Sequence, residues 1–408
     1  MPKKQCDSKA DSETDAVVQI KHSLSYPLKR IVIKIGSNLF LERKSNHIKK
    51  SWLESLAKDV LSLRQQGVEV ILVCSGAIRL GKNTLMGASV DTNLDDKQAA
   101  AAIGQVELIS IFRDVFESYQ MKVAQILLTV EDTEVRRRNL NARATFMALL
   151  RNGVIPIVNE NDTVATTEIR SGDNDRLSAR IAQVVSADHL FLLSSKIDGL
   201  YNQDPKENEN AMIIPEIGGN ATAVLSQFKS AYKGKQTGVT SKIEAATHAT
   251  QSGCSVILSK ALDAGSLGAL VFGDKKLKTI FKAAISPTQA RQNWIAAHLL
   301  SSGSLVVSSA GQKMIEKGQG LLPKHVVSIN GIFQRGELVS IMNQFGDEIG
   351  RGLSAYCWKD AVRIRGADGV SLLNQLGFGG RDEIIHMDDL ISFTVQNIPT
   401  VHSPGAAV

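Results

Sequence analysis

Between residues 30 and 275 the sequence alternates short apolar, β-branched runs with stretches of helical apolar spacing. No other feature restricts the fold as much. Strands joined through helices run parallel in one sheet, and such a sheet is covered on both faces. The runs near 30–35, 68–73, 123–128, 154–158, 189–193 and 255–258 read as strands. The intervening segments 51–66, 95–119, 140–150, 175–185 and 242–252 read as helices. In the first of these, Trp52, Leu56, Val60 and Leu63 share one face. The class is therefore α/β, with a largely parallel sheet. Open sheets of this kind bind ligands beyond the carboxyl ends of their strands. The residues just past each run are the ones to weigh.

The richest of these ends is Asn159-Glu160-Asn161-Asp162-Thr163, which leads on to Gly172-Asp173-Asn174-Asp175. Asn, Asp and Gly also make ordinary turns. This cluster is long and charged, however, and it lies between two strongly hydrophobic segments, which favours a substrate site. Lys34 interrupts the apolar run 30–35. A charge there is unfavourable unless paired, so it reaches a ligand or a carboxylate, or else snorkels from the strand end. Cys74-Ser75-Gly76-Ala77 offers small residues and free N–H groups at a helix start, which suits an anion or simply close packing. Ser194-Ser195 again places polar groups past an apolar strand. Residues 233–242 form a basic, glycine-containing loop entering a helix, with Thr240 or Ser241 as N-cap. Phosphate binding and plain solvation are both open for that loop. The glycine spacing of a P-loop is absent.

The bulk properties set wide bounds. The chain has 408 residues, is 43% hydrophobic and carries a net charge of +6. That charge permits anionic partners without marking a nucleic-acid binder. The four cysteines are scattered, with no C-x-x-C pair, which fits reduced thiols in a cytoplasmic protein. Neither a membrane span nor a secretory signal is read. Residues 1–27 are polar and read as a floppy extension. Residues 288–300 read as a connecting helix. Arg136-Arg137-Arg138 reads as a solvated helix end. From about 302 to 373 the pattern becomes short β-like runs separated by glycine, with a hairpin turn at 344–348.

Taken together, these pieces resemble the glutamate 5-kinases of the amino acid kinase superfamily, with a C-terminal PUA domain. The resemblance covers about residues 28–370. It rests on Lys34-Ile35-Gly36-Ser37, Ser75-Gly76-Ala77-Ile78, Lys97-Gln98 with Gly104-Gln105, Asn159-Glu160-Asn161-Asp162, Gly172-Asp173-Asn174-Asp175 and Asp198-Gly199-Leu200-Tyr201. Gly320-Leu321-Leu322-Pro323 and Arg351-Gly352-Leu353 look like the PUA module. The resemblance implies an α/β/α sandwich over 28–285, a linker helix over 286–301, a mostly-β PUA domain over 302–375 and a tail over 376–408.

It further implies phosphorylation of the side-chain carboxylate of L-glutamate by ATP with Mg²⁺, the first step of proline synthesis. By position, Lys34 and Lys242 would flank the phosphates and Asp175 would orient both lysines. Ser75, Asp162 and Asn174 would hold glutamate. Ser194, Ser195, Gln236, Thr237, Gly238, Val239, Thr240 and Ser241 would line the nucleotide, with Lys34 and Lys242. No metal site built by the protein alone is implied, because Mg²⁺ travels on ATP oxygens and water. A carboxylate nucleophile is ionised at neutral pH, so no general base is needed. The family commonly forms homo-oligomers and is often inhibited by proline at the glutamate site.

Two departures stand out: Ser194-Ser195 replaces the usual Thr-Asp, and Lys235-Gln236-Thr237-Gly238-Val239 replaces Gly-Thr-Gly-Gly-Met. The competing readings are a sister kinase for N-acetylglutamate or another small acid, and a weakened kinase whose PUA domain binds RNA or regulates a partner. Residues 291–370 carry nine Lys/Arg against six Asp/Glu, a faint footprint for RNA.

Overall fold

A computed structural model describes residues 28–42, 45–82, 93–165, 173–203, 205, 208–218, 237–273, 276–296, 300–368, 375–377 and 381–393. The expected N-terminal extension, Gln236 and the last part of the expected tail lie outside the described residues, as do the side chains of Asp173 and Thr237.

The first domain opens with β1 (Arg30–Ile35), the short α1 (Ser37–Phe40), α2 (Lys50–Gln65), β2 (Glu69–Cys74), α3 (Ala77–Lys82) and α4 (Leu94–Glu117). It continues with β3 (Val123–Leu128), α5 (Val130–Glu134), α6 (Arg136–Arg151), β4 (Ile155–Glu160), α7 (Asp173–Val185) and β5 (His189–Ser194). Then come β6 (Leu200–Tyr201), β7 (Ile213–Ile214), β8 (Glu216–Ile217), α8 (Thr237–Gln251), β9 (Ser255–Lys260), α9 (Ser266–Phe272) and β10 (Thr279–Phe281). Eight strands form one sheet in the order β3-β4-β2-β1-β5-β9-β10-β8. All its pairings are parallel except β9 with β10. The sheet lies between two apolar layers, so the expected α/β/α sandwich is the observed one.

Strand alternation decides which side chains meet on each face. Ile31, Ile33 and Ile35 of β1 pack with Leu53, Leu56 and Phe112 of α2 and α4. Val32 faces the other way, among Leu177 and Ile181 of α7 and Ile243 of α8. Lys34 shares the parity of Val32 and therefore points toward α7 and α8. Central β1 lies between β2 and β5, where the chain switches direction across the sheet. The carboxyl ends of β1, β2, β4 and β5 open there into one crevice.

Helix α8 starts at Thr237, not near Lys242 as the capping residues suggested. Ser241 thus lies inside the helix, and its hydroxyl goes to a buried carboxylate instead of a cap.

Helix α10 (Pro287–Ala296) joins the first domain to a second sheet. That part contains β11 (Gly303–Val307), α11 (Ser309–Glu316), β12 (Val326–Gly331), β13 (Leu338–Met342), β14 (Glu348–Leu353), α12 (Trp358–Ile364) and β15 (Leu390–Ser392). Its order is β12-β11-β13-β14-β15, with only β11 and β13 parallel. The expected hairpin turn joins β13 to β14. Residues 381–393 fell in the expected tail, yet β15 completes this sheet, and Ile384, Ile385 and Leu390 enter its core. Three residues are too short a run to show a strand period.

The two parts share an apolar seam in which Ile295, Leu338 and Leu353 meet Leu140, Trp294 and Ile391. Arg136 joins it, with its guanidinium 5.9 Å from the Trp294 ring. One of the three arginines expected at a solvated helix end is therefore drawn into the seam, whereas Arg137 and Arg138 are exposed.

Candidate active site

Lys34, Asp175 and Lys242 come from β1, the first turn of α7 and the second turn of α8. The Asp175 carboxylate is 1% exposed and the two lysines are 7% and 8% exposed. Lys34 Nζ lies 2.6 Å from Asp175 Oδ1. Lys242 Nζ lies 2.8 Å from Asp175 Oδ2, and Ser241 Oγ donates to that same oxygen at 2.8 Å. Burial alone would raise the Asp175 pKa. The two ammonium groups outweigh it and hold the carboxyl down to about 2. Its place in the first turn of α7 also favours the charged form. Burial pushes Lys242 below its ordinary value, with Lys34 adding to the effect and Asp175 opposing it. The three buried charges sum to +1. An uncompensated buried charge is unfavourable unless an anion completes it.

The triad lines a cleft of about 380 Å³. Ser75, Asp162, Asn174, Ser194, Ser195 and Gly238 line the same cleft. Six of the residues expected at the site thus join the three charged ones. Val239 does not face the cleft: it packs into the core beneath α8. Thr240 is likewise absent from the lining.

Ser75 Oγ accepts from the Ser37 N–H at 3.0 Å, which ties the end of β2 to the turn after β1. Gly76 has φ of +131°, and a Cβ there would stand 3.2 Å from Ser37 Cβ. Ser194 Oγ accepts from the N–H groups of Lys196 and Ile197 at 3.2 and 3.0 Å, so it shapes the turn after β5. Asn159 is 2% exposed and donates to Gln105 Oε1 at 2.7 Å. Its Oδ1, like that of Asn174, is buried without a hydrogen-bond partner in the protein. Both amides belong to the cleft lining, and acceptors left so call for a donor from a ligand or water.

Arg79 and Lys196 also line the cleft and were not singled out from the sequence. Arg79 donates to Asn38 Oδ1 at 3.0 Å and to Asn46 Oδ1 at 2.7 Å. It follows directly on Ser75-Gly76-Ala77-Ile78, and that neighbourhood was the only signal for it.

This arrangement can position an anionic group over two ammonium ions and bind a small polar molecule beside it. Residues 29–259 match the amino acid kinase family, and residues 303–374 match the PUA domain. The chain belongs to the amino acid kinase family. A glutamate 5-kinase of Paramagnetospirillum magneticum is 40% identical over 366 residues, covering 89% of this chain and 97% of that one. A glutamate 5-kinase of Brucella ovis is 42% identical over 370 residues, covering 89% and 95%. Among solved structures, a UMP kinase from Bacillus anthracis aligns with a TM-score of 0.45 and 18% identity, over 64% of this chain and 98% of that one. Among the described residues of this amino acid kinase, no helix is long and apolar enough to cross a membrane.

Proposed function

We propose that this chain transfers the terminal phosphoryl group of ATP to the side-chain carboxylate of L-glutamate, giving glutamyl 5-phosphate and ADP. The observation that carries the reading is the buried triad, whose net positive charge faces a cleft at the strand ends. Two relatives that are glutamate 5-kinases over nearly their whole length support the choice of acceptor.

In this reading a carboxylate oxygen of glutamate forms the new P–O bond while the bond to the β–γ bridging oxygen breaks. The nucleophile is already ionised, so the protein moves no proton. Phosphoryl transfer then needs alignment and charge stabilisation. Lys34 and Lys242 supply the charge, and Asp175 keeps both ammonium groups aimed at one point. Each lysine spends one donor on Asp175 and has others left for phosphate oxygens. Asp162 takes the α-ammonium of glutamate, and Ser75 and Asn174 fix its remaining polar groups. Ser194, Ser195, and Gly238 and Ser241 in the first turns of α8, line the nucleotide.

Mg²⁺ fits as a companion of the nucleotide, because both Asp175 oxygens are already held by ammonium groups. When bound, it would neutralise phosphate charge through the nucleotide's own oxygens. The setting proposed is cytoplasmic, where Cys74 and Cys254, both buried free thiols, stay reduced. Proline competing with glutamate, and homo-oligomers, belong to the same reading. RNA binding through the second sheet is the less favoured alternative.

The test is ATP-dependent formation of an acyl phosphate, trapped by hydroxylamine, with L-glutamate, N-acetylglutamate and aspartate in parallel. Hydroxamate with glutamate alone supports the reading. Turnover that prefers N-acetylglutamate or aspartate, or none with any of the three from folded protein, overturns it. Saturating proline is expected to suppress the glutamate reaction.

A further inference from the structure

A second cavity, of about 560 Å³, opens where α6 meets the turn at residues 334–337 and the segment 355–360. It lies at the junction of the two domains, apart from the catalytic cleft. Its volume falls within the range of small-molecule sites. Arg137, Arg335 and Arg381 all line it, together with Asn141, Gln334 and Tyr356.

Among the described residues, none of these three arginines forms an ion pair. The carboxylate in the lining is Asp360, whose Oδ2 takes the Cys357 thiol at 3.2 Å. Outside the lining, Asp382 stands near Tyr356, and Glu337 accepts from the Gln334 N–H. The lining itself therefore carries three positive charges against one negative.

The cluster is held in place by the backbone. Gly336 has φ of +86°, and a Cβ there would stand 2.2 Å from Leu140 Cδ1. The turn thus presses onto α6 and sets Arg335 alongside Arg137. Gly336 N–H donates to Ser354 O at 2.7 Å, and Gln334 N–H donates to Glu337 Oε2 at 2.8 Å. Tyr356, 4% exposed, donates its hydroxyl to the Arg381 carbonyl and anchors that residue. Burial first, then the neighbouring Arg381 and Arg137, hold the Arg335 guanidinium below its ordinary value, with Tyr356 opposing. Like charges so gathered repel one another until an anion enters. Guanidinium forks suit phosphate oxygens, which they bind in pairs.

We infer that this cavity binds a small polyphosphate anion, held between the two domains by Arg137, Arg335 and Arg381. The site is a concave pocket closed by α6 on one side, which fits a compact ligand better than a nucleic-acid strand. It is independent of the proposed catalytic reaction.

The test is calorimetric titration of the full chain with inorganic pyrophosphate at low and at physiological salt. Lys242→Ala serves to separate any binding in the catalytic cleft. The wild-type protein and Lys242→Ala are expected to share one salt-sensitive binding event. R335A/R381A should weaken that event at least tenfold while keeping wild-type kinase turnover without pyrophosphate, which also reports an intact fold. Arg137→Gln, at an exposed helical position, should weaken it as well. Equal affinity in R335A/R381A would overturn the inference. So would loss of all binding in Lys242→Ala, or no binding in wild type. A single-stranded oligoribonucleotide that binds through the same arginines more tightly than pyrophosphate would also overturn it, in favour of nucleic acid.

Discussion

Among the described residues, two buried carboxylates each lie beside two cations, and they do different work. Asp175 lies between Lys34 and Lys242 at the cleft. Asp389, 5% exposed, lies at the domain junction beside Arg291 and Arg143. Burial alone would raise the pKa of either acid, and the paired cations lower both. The difference is in the totals and in the spare donors. At the junction Arg291 pairs with Asp389 and Arg143 with Asp388, so those four charges cancel. Arg143 also spends donors on Val184 O at 2.6 Å and Ser186 Oγ at 3.1 Å. Burial and the nearby Arg291 push its pKa down to about 10. At the cleft the sum is +1, and ammonium donors remain. A balanced buried pair is a joint. An unbalanced one facing a cavity is a site for an anion.

The comparison can be broken first by removing cations. Lys34→Ala leaves Asp175 with one partner and a neutral pair. Turnover should fall by about two to three orders of magnitude, as when a transition-state donor is lost, while the thermal midpoint stays near wild type. Arg291→Ala removes one guanidinium from an enclosed acid. It should lower stability by roughly 3–5 kcal/mol, measured by denaturant unfolding, while the folded fraction keeps its turnover. A thermally crippled Lys34→Ala with normal turnover would erase the distinction.

Acid sharpens the comparison next. A carboxyl depressed in the folded state contributes stability above its unfolded pKa, about 3.9, and loses it as pH falls through the folded value. For Asp175 that folded value is about 2. Stability should therefore drop between about pH 4 and pH 2, and Asp175→Asn should flatten that part of the curve. Unfolding midpoints taken across the range would check it. The smallest expected effect is Ser241→Ala. Loss of one hydroxyl bond to Asp175 should lower stability by about 1 kcal/mol and turnover by less than Lys34→Ala does.

Much of this was legible in the chain. Lys34 announced itself as a charge inside an apolar run, and strand parity then gave its direction. The cluster that begins at Asn159 followed a buried strand, and its Asn159, Glu160, Asp162, Asn174 and Asp175 line the cleft. Lys242 was legible only through the family resemblance, since a basic loop reads equally as solvated. Ser241 read as a cap because hydroxyls at helix starts usually are caps, and only the approach of α7 gives it a stronger acceptor. The connecting helix of the junction was legible, but its ion pairs were not. Arg143 and Asp388 are 245 residues apart and meet at 2.8 Å, and no local period encodes that pairing. β15 was missed for the related reason that three residues carry no pattern.

The most direct test of the central claim is glutamate-dependent hydroxamate formation by Lys242→Ala beside wild type, with the folded fraction measured in the same samples. The account predicts a folded variant whose rate is at least about a hundredfold lower. A folded Lys242→Ala that turns over at the wild-type rate would contradict it, because the excess charge of the triad would then serve no chemistry.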